Sequence, residues 1–308
     1  MRVFSEAVSA FDPDVIEANS RLRANLAGVR SIVAFGSARG GVGKSALAVN
    51  IAASLALARR KVGLVDGDLN SPSILTMLGM KPPRRMLADT IEPGAGPLGL
   101  RIAASNLLPD SEPPPISFLE PDAQPPELAN GHVPNEPGYL ATLRRLLGQT
   151  RFGALDTLLI DLAPGVENIH RIAAILPRTA LVLVSQTSEL AARAARAALT
   201  VATLNSTVVL GIVENMAGFN CDGCHTVRPL VPQGGLGTMA REAGVPIIER
   251  LPFDPRLAES CDRGVLYIRE YPDTPLAKQI AAIANTIAAA MPEFYPAETP
   301  ELTTIGSK

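Results

Sequence analysis

Several residue types are scarce in this 308-residue chain. It contains no tryptophan, three cysteines and three histidines, and aromatic residues make up 4% of it. Three cysteines are too few for a disulfide framework, which excludes a small disulfide-stapled scaffold. In a reducing compartment, a close cysteine pair is more typical of metal or redox chemistry.

Charge of either sign is scarce as well. Charged residues account for 19% of the chain, and the formal net charge is -2. No run of Lys or Arg indicates a basic patch, so we expect neither nucleic acid nor a membrane surface as a partner. Residues 1–30 have mixed charges and no continuous apolar core, which argues against a signal peptide or a membrane span. The sequence therefore predicts a cytoplasmic protein.

The apolar content predicts a single large domain of the α/β class. Hydrophobic residues make up 47% of the chain, which is enough to bury a substantial core. Short apolar runs alternate with helix-like segments, a pattern that predicts a doubly wound, mostly parallel sheet with helices on both faces. The predicted strands span 32–35, 62–66, 155–161, 179–184, 207–213 and 245–248, and the predicted helices include 46–53, 189–204 and 276–290.

Three further segments complete the predicted domain organisation. Residues 1–30 have apolar side chains at loosely helical spacing and predict an amphipathic arm that packs on the domain of residues 31–290. Residues 82–138 hold about half of the 27 prolines, so they predict a long excursion without a core of its own. Within it, the run 99–104 is compatible with a strand, and residues 291–308 are interpreted as a tail.

The stretch Ala38–Ser45 organises the rest of the chain. It lies between an apolar run and a helix-like run, the arrangement in which backbone N–H groups and a helix N-terminus converge on an anion. Lys44 is placed to reach the β- and γ-phosphates of a nucleotide, and the Ser45 hydroxyl to coordinate Mg2+. We therefore expect ATP and Mg2+ as cofactors. The predicted binding set of this loop is Gly40, Gly41, Val42, Gly43, Lys44, Ser45 and Ala46.

Acidic residues follow two of the predicted strands. In an open α/β sheet, ligands bind at the carboxyl ends of the strands, where Asp66, Asp68 and Asp161 are expected to lie. Asp68 is the candidate for positioning the attacking water, and Asp161 for holding the Mg2+ shell. The N–H of Gly165 is placed to meet the γ-phosphate. The run Asp66–Asp68 is equally typical of a simple turn.

Cys221 and Cys224 form a close pair. Two thiols three residues apart in a loop that contains Gly223 can face one metal centre, but a four-thiolate site needs two more ligands. A two-fold homodimer would supply them from the same loop of the second subunit. We therefore expect one iron-sulfur cluster bridged by both chains. A zinc site that includes His225, a c-type haem attachment and a plain redox dithiol are alternative interpretations.

The other cysteine and two other histidines give no such signal. Cys261 is isolated and is interpreted as a buried apolar residue rather than a third ligand. His132 is interpreted as a loop residue, and His170, which has no partner in the sequence, as structural.

Five motifs together resemble those of one family. Their combination, from about Ile32 to Ala289, resembles the Mrp/ApbC group of iron-sulfur cluster carrier ATPases. That group belongs to the deviant Walker A class of P-loop NTPases, which also contains MinD, ParA and the nitrogenase iron protein. The Glu-Asn-Met run followed closely by Cys-x-x-Cys is the specific part. The motifs are Arg39–Ser45, Asp66–Asp68 with Ser71–Ser73, Asp161–Gly165, Glu214–Met216 and Cys221–Cys224.

The resemblance implies an ATP hydrolase that forms a homodimer. Such a protein would hold a labile 4Fe-4S cluster across the dimer through Cys221 and Cys224 and pass it to apo-proteins. By the same resemblance, Arg39 would contact phosphate, Asn215 would recognise adenine, and Pro252–Asp254 would lie near the base.

The chain also departs from the family pattern. Ala38 replaces a glycine, Val166 replaces a threonine near the γ-phosphate, and Arg39 replaces the signature lysine, which exchanges a compact ammonium for a wider planar fork. A tryptophan-containing motif is missing too. We therefore expect nucleotide binding with slow hydrolysis.

Two other functions are compatible with these motifs. The first is a MinD- or ParA-like positioning ATPase, which the cysteine pair and the missing basic amphipathic C-terminal helix disfavour. The second is a degenerate nucleotide-binding regulatory protein with little hydrolysis, which Ala38, Arg39 and Val166 favour.

Overall fold

The computed structural model describes residues 13–81, 90–105, 138–220, 223, 226–230, 232 and 234–294. The strands in this part of the chain are β1 (Ile32–Gly36), β2 (Val62–Gly67), β3 (Gly94–Ala95), β4 (Arg101–Ala103), β5 (Thr157–Leu162), β6 (Ala180–Ser185), β7 (Val209–Glu214), β8 (Phe219–Asn220), β9 (Val227–Arg228) and β10 (Ile247–Arg250). The helices are α1 (Pro13–Leu26), α2 (Lys44–Leu57), α3 (Ile74–Met77), α4 (Gly138–Gln149), α5 (Val166–Ile175), α6 (Glu189–Leu204), α7 (Leu236–Glu242), α8 (Pro255–Asp262), α9 (Tyr267–Glu270) and α10 (Pro275–Phe294).

Eight of these strands form one twisted sheet in the order β10-β7-β6-β1-β5-β2-β4-β3. All neighbouring pairs are parallel except β3 and β4. In the register, Phe35 of β1 lies beside Asp161 of β5 and Val182 of β6. The predicted doubly wound, mostly parallel sheet is confirmed, and its central strand leads directly into the phosphate-loop candidate.

Hydrophobic cores cover both faces of the sheet because successive strand side chains point to opposite sides. On β1, Val33 and Phe35 enter the core formed mainly with α2 and α10. Ala34 enters the opposite core, formed mainly with α1, α4, α5 and α6. Strands β2, β5 and β6 are buried throughout and β1 in all but its first residue, as expected for a parallel sheet with helices on both sides.

The proline-rich segment is partly built into this sheet. Of residues 82–138, the structure describes 90–105 and the start of α4, and it places β3 and β4 at one edge of the sheet beside β2. The run 99–104 therefore contains a strand that is shorter than the run itself, Arg101–Ala103. Arg101 also donates to the Phe152 carbonyl, which ties this edge to the segment before β5. Residues 82–89 and 106–137, with His132, lie outside the described residues.

Helices occupy part of the predicted arm and the start of the predicted tail. The helix predicted within residues 1–30 spans Pro13–Leu26, where the side-chain amide of Asn25 donates to the carbonyls of Leu147 and Thr150 at 2.7 and 2.6 Å. At the other end, α10 continues to Phe294, beyond the predicted boundary. Residues 1–12 and 295–308 are not among those described. Within the described chain, no helix combines the length and apolar character needed to cross a membrane.

Candidate functional site

The loop between β1 and α2 has the backbone of an anion site. Gly41 and Gly43 adopt positive φ angles of 76° and 80°, which a residue with a Cβ rarely adopts. Helix α2 begins after Gly43 with no side-chain cap among the described residues, whereas Ser188 caps α6 and Asp254 caps α8. The first N–H groups of α2 are therefore directed towards the loop, where an anion can accept from them.

Lys44 connects this loop to the end of β5. Its Nζ lies 2.5 Å from Oδ1 of Asp161 and 3.3 Å from Oγ of Ser45. The Lys44 side chain is 6% exposed and that of Asp161 is fully buried. The pairing of β1 with β5 thus brings together the three residues that the sequence assigned to phosphate and Mg2+.

Asp161 has the properties expected of a cation ligand. Burial raises the pKa of this carboxyl, while the Lys44 ammonium and the Ser45 hydroxyl lower it. Its second oxygen, Oδ2, is buried without a hydrogen-bond partner among the described residues. A carboxylate oxygen left in that state is costly unless a cation or water completes its shell. Asp161 and Ser45 therefore fit a Mg2+ ion.

The two carboxylates that follow β2 have different environments. Asp66 is fully buried and accepts the backbone N–H groups of Ser73 and Ile74 at 2.8 and 2.9 Å. Asp68 is half-buried, accepts the N–H of Ser71 at 3.2 Å, and lies close enough to raise the pKa of Asp161. Asp66 therefore stabilises the turn through its hydrogen bonds. Asp68 is the carboxylate of this pair that can act in the site.

Asp66 makes the stability of the protein depend on pH. Burial raises the pKa of Asp66 to about 7. Because the folded pKa lies above the unfolded value of 3.8, the stabilisation by this group is fully present below that value and is lost as the pH rises through about 7. We expect the free energy of unfolding to fall over this range by up to about 4 kcal/mol from this group alone.

The variant Asp66→Asn isolates this contribution. Asparagine keeps one oxygen for the amides of Ser73 and Ile74 but does not titrate. Urea unfolding at pH 4 to 8 should give a flatter pH profile for the variant than for the wild type. Parallel profiles for the two proteins would contradict the assignment to Asp66.

Tyr139 is a site residue that sequence reasoning missed. Its hydroxyl donates to the carbonyl of Gly67 at 2.8 Å, and the guanidinium of Arg171 lies 5.2 Å from the centre of its ring. Arg171 in turn donates to Oδ1 of Asn168 at 3.0 Å. These contacts fix the turn that contains Asp68 next to the start of α5. No local pattern signals this, because Tyr139 follows the proline-rich segment and reaches Gly67 only in the folded chain.

Gly165 is engaged in a backbone hydrogen bond. Its N–H donates to the carbonyl of Ser37 at 2.8 Å, and its φ of 120° is open only to glycine in practice. The carboxylate of Glu167 lies directly against it. The predicted contact between this N–H and a γ-phosphate requires the bond to Ser37 to break, so it stays a prediction. Val166 begins α5 next to this position.

Asn215 lies against the phosphate loop. Its Nδ2 donates to the carbonyl of Val42 at 2.8 Å, and the residue is 3% exposed. A Cβ on Gly43 would come within 2.4 Å of the same nitrogen. The structure therefore gives Asn215 a contact that sequence reasoning did not predict, and its recognition of adenine stays a prediction.

The segment Pro252–Asp254 joins the site to α8 and α9. The N–H of Phe253 donates to the carbonyl of Gly218 at 2.6 Å. Asp254 caps α8 and accepts hydrogen bonds from Arg256 and from the Tyr267 hydroxyl at 2.7 Å. The position of these residues relative to a base stays a prediction.

The proposed cluster ligands lie outside the described residues. Cys221, Cys224 and His225 are not described, but the strands on either side of them are. β8 and β9 pair antiparallel, with Phe219 opposite Arg228 and Asn220 opposite Val227. We call residues 219–228 the cysteine hairpin. Among the described residues, no group of three or more His, Cys, Asp or Glu side chains is placed to hold a metal ion.

Cys261 and His170 have structural environments. Cys261 is 7% exposed on α8, and burial raises the pKa of its thiol to about 11, which keeps it protonated and unreactive. His170 lies on α5, where its Nδ1 is 2.8 Å from Oδ1 of Asn205, the residue that follows the end of α6. Both residues therefore belong to the packing of helices.

Comparison with known proteins identifies the family. The family model described as ParA, NUBPL iron-transfer P-loop NTPase, matches residues 28–124 and 131–288. The chain belongs to this family. It is 33% identical over 255 residues to the iron-sulfur cluster carrier protein of Saccharolobus solfataricus, covering 82% of this chain and 80% of that one. It is 32% identical over 278 residues to the human cytosolic Fe-S cluster assembly factor NUBP2, covering 88% of this chain and 97% of the relative.

Solved structures of the same fold include a nucleotide-binding protein. The chain resembles the nucleotide-binding protein of Archaeoglobus fulgidus in complex with ADP and cobalt, with a TM-score of 0.67, 28% identity, and coverage of 84% and 95% of the two chains. It also shares its fold with the Mg-ADP complex of MinD from Pyrococcus horikoshii, with a TM-score of 0.56, 19% identity, and coverage of 83% and 95%. The family model and the curated relatives confirm the family resemblance predicted from the motifs.

The family departures at Ala38 and Arg39 lie on the outer side of the loop. Arg39 is exposed, and together with Ala38 it borders a small cleft against β6 and α6. Its guanidinium is therefore open to solvent on this surface of the monomer, next to the phosphate-loop backbone.

Proposed function

We propose that the protein is an ATP-dependent iron-sulfur cluster carrier, which binds a 4Fe-4S cluster between two subunits and transfers it to apo-proteins. The observation that carries the proposal is the position of the cysteine hairpin. Its first strand follows within a few residues of Asn215, which contacts the phosphate loop. Membership of the iron-transfer NTPase family supports the same role.

Each part of the nucleotide site has a proposed task. The backbone of Gly40–Gly43 and the Lys44 ammonium would bind the phosphates, with Arg39 contributing from the exposed side of the loop. Ser45 and Asp161 would hold Mg2+, which neutralises phosphate charge when it is bound. Asp68 would orient the attacking water, and the Tyr139 hydroxyl would keep its turn in place.

Hydrolysis by this site is proposed to be slow. Val166 offers no hydroxyl at the start of α5, and the Gly165 N–H is already donated to Ser37. Arg39 retains a positive charge but with a wider group than lysine. Each of these features weakens the stabilisation of charge on the transferred phosphoryl group, the main source of catalysis in such enzymes.

The cluster is cargo that two subunits would share. One hairpin supplies two thiolates, and a 4Fe-4S cluster takes four. A two-fold axis through the hairpins supplies the other two without further sequence. We propose a homodimer as the carrier, apo iron-sulfur proteins as its partners, and the cytoplasm as its location, with no role for nucleic acid or membrane.

Iron and sulfide quantitation tests this proposal. After anaerobic reconstitution of the full chain, we expect about four irons and four sulfides per dimer, with the dimer mass measured by light scattering. The variant Cys221→Ser should lose the cluster. Cys261→Ser is the matched control, because Cys261 is buried on α8 and should leave the iron content unchanged.

Two results would contradict the carrier proposal. One is a wild-type protein that takes up zinc or no metal, which would leave a nucleotide switch with structural cysteines. The other is a Cys221→Ser protein that still binds a full complement of iron and sulfide.

A further inference from the structure

The loops that precede the strands lie at the end of the sheet opposite the nucleotide site. Strands β7, β6, β1, β5 and β2 are parallel neighbours, so their amino ends share one edge. At about 4.8 Å between strands, the five amino ends span about 19 Å. The N–H of Arg30 donates to the Leu155 carbonyl at 3.0 Å, and the N–H of Asp156 donates to the Lys61 carbonyl at 2.8 Å. Loops from distant parts of the chain therefore form one continuous surface.

This surface is rich in cations and poor in carboxylates. Within the described loops 27–31, 58–61, 150–156, 176–179 and 205–208, the one carboxylate is that of Asp156. Arg151 of these loops pairs with Glu92 at 3.6 Å. A run of three cations is too short to predict such a surface from the sequence, and the fold adds the others to it. The remaining cations, all exposed, are called the basic surface and are Arg30, Arg59, Arg60, Lys61 and Arg178.

Asp156 does not neutralise the basic surface. Its Oδ2 accepts the backbone N–H of Lys61 at 2.8 Å, and its Oδ1 lies 3.8 Å from the guanidinium of Arg30. The Arg30 side chain is 83% exposed, so this ion pair contributes little to stability. Like charges gathered on one surface repel one another, which lowers the stability of the fold. Stability therefore does not explain the cluster.

Arg59 occupies a backbone position that suits glycine. The N–H groups of Arg59 and Arg60 donate to carbonyls in the last turn of α2 at 2.9 and 3.1 Å, the pattern that ends a helix with a left-handed residue. The φ of Arg59 is 63°, which is unfavourable for a residue with a Cβ. At the end of α2, a cation thus stands where glycine would be more stable. The same pattern has Gly79 after α3, Ser206 after α6, Gly244 after α7 and Gly264 after α8.

Exposed apolar side chains flank the basic surface. Leu57, in the last turn of α2, is 51% exposed, and Val208, before β7, is 37% exposed. A phosphate backbone offers no apolar groups to such side chains, and the net charge of -2 gives the chain no broad attraction for a polyanion. A partner that matches both features carries carboxylates and apolar side chains together, as an acidic segment of a protein does.

We propose that the basic surface is a docking site for an acidic protein segment that also carries apolar side chains. Charge complementarity supplies the attraction, and Leu57 and Val208 supply apolar contacts at its margins. Strand β1, five residues long, separates this surface from the phosphate loop by about 17 Å. The partner therefore stays bound while nucleotide binds and leaves. This inference does not depend on the carrier function.

Fluorescence anisotropy of a labelled peptide with the full chain tests the inference. The probe is a peptide of about 16 residues, with glutamates on one helical face and leucines on the other, and it spans about 24 Å as a helix. A peptide with glutamine in place of every glutamate is the matched probe. We expect the acidic peptide to bind at least about tenfold more tightly than the glutamine peptide, and its affinity to fall as salt is raised.

Substitutions in the basic surface can remove charge without endangering the fold. Arg59→Gly removes a cation and suits the left-handed backbone. It should weaken binding of the acidic peptide while the midpoint of thermal unfolding stays at or above the wild-type value. Arg59→Gly combined with Arg60→Gln and Lys61→Gln should weaken binding by about tenfold or more.

A triple variant elsewhere controls for net charge. Arg263→Gln, Arg269→Gln and Lys278→Gln remove three exposed cations from α8, α9 and α10, and this protein should bind the acidic peptide like the wild type. Saturating MgADP should leave the peptide affinity unchanged, because the phosphate loop lies at the other end of the sheet.

Four results would overturn the inference. They are equal binding of the two peptides or no binding of either, equal losses in the two triple variants, competition between peptide and MgADP, and a lower unfolding midpoint that accounts for the effect of Arg59→Gly. A DNA duplex or phosphatidylserine vesicles that bind more tightly than the peptide, with binding lost in the Arg59, Arg60 and Lys61 variant, would assign the surface to another class of partner and also overturn it.

Discussion

Replacing Lys44 by methionine is expected to destabilise the protein by about 3–5 kcal/mol and to reduce nucleotide hydrolysis on the order of 100-fold or more. The stability loss arises because Asp161 is fully buried and would lose the ammonium 2.5 Å away that compensates its charge. The loss of hydrolysis is expected because the ammonium proposed to reach the phosphates is removed. Chemical unfolding and phosphate release measure the two effects.

A double variant separates stability from function. Lys44→Met combined with Asp161→Asn removes both charges, so most of the lost stability should return while hydrolysis stays absent. The loss in unfolding free energy of the single variant Lys44→Met should also become smaller at lower pH. Burial raises the pKa of Asp161, and protonation removes its unpaired charge. If Lys44→Met were as stable as the wild type at pH 7, the ion pair would make no contribution to stability.

Replacing Gly43 by alanine is expected to lower the free energy of unfolding by about 2–5 kcal/mol and the affinity for MgADP by about tenfold or more. A Cβ at φ 80° contributes about 1–2 kcal/mol of this loss. The same Cβ would lie 2.4 Å from Nδ2 of Asn215, so the amide must leave the Val42 carbonyl, which costs about 1–3 kcal/mol more. A tenfold loss in affinity corresponds to about 1.4 kcal/mol.

Gly41→Ala is the matched control for this prediction. Gly41 has a similar φ of 76°, but a Cβ there meets no atom within 4 Å. It should therefore show only the backbone contribution to the loss in unfolding free energy. Equal losses in unfolding free energy for the two variants would mean that the contact with Asn215 does not contribute to stability. Urea unfolding and isothermal titration with MgADP provide both quantities.

The sequence predicted most of the elements because their patterns are local. The helix predicted over 189–204 matches α6 at both ends, since Ser188 provides a cap and the alanine-rich run a consistent apolar face. Strand boundaries differ by one or two residues, as for 179–184 against Ala180–Ser185. Apolar runs do not mark where the ladder of hydrogen bonds stops, and strand order cannot be read from them either.

The site was predictable only where its residues belong to recognisable motifs at the carboxyl ends of strands. Lys44, Ser45 and Asp161 come together in the structure because they end or follow adjacent strands. The contacts of Tyr139 with Gly67 and of Asn215 with Val42 were not predictable. In each, a side chain meets a backbone carbonyl distant in sequence, and a carbonyl carries no residue-specific signal.

The position of β1 in the middle of the sheet affects folding during synthesis of the chain. β1 pairs with β5 and β6 and with no strand that lies near it in sequence, since Ile32 is opposite Leu158. At ordinary rates of synthesis, this apolar strand stays unpaired for on the order of ten seconds before the first strand that pairs with it has been synthesised. Closing so long a loop is also slow for a released chain. Chaperone protection of the nascent chain is therefore expected to affect the yield of folded protein.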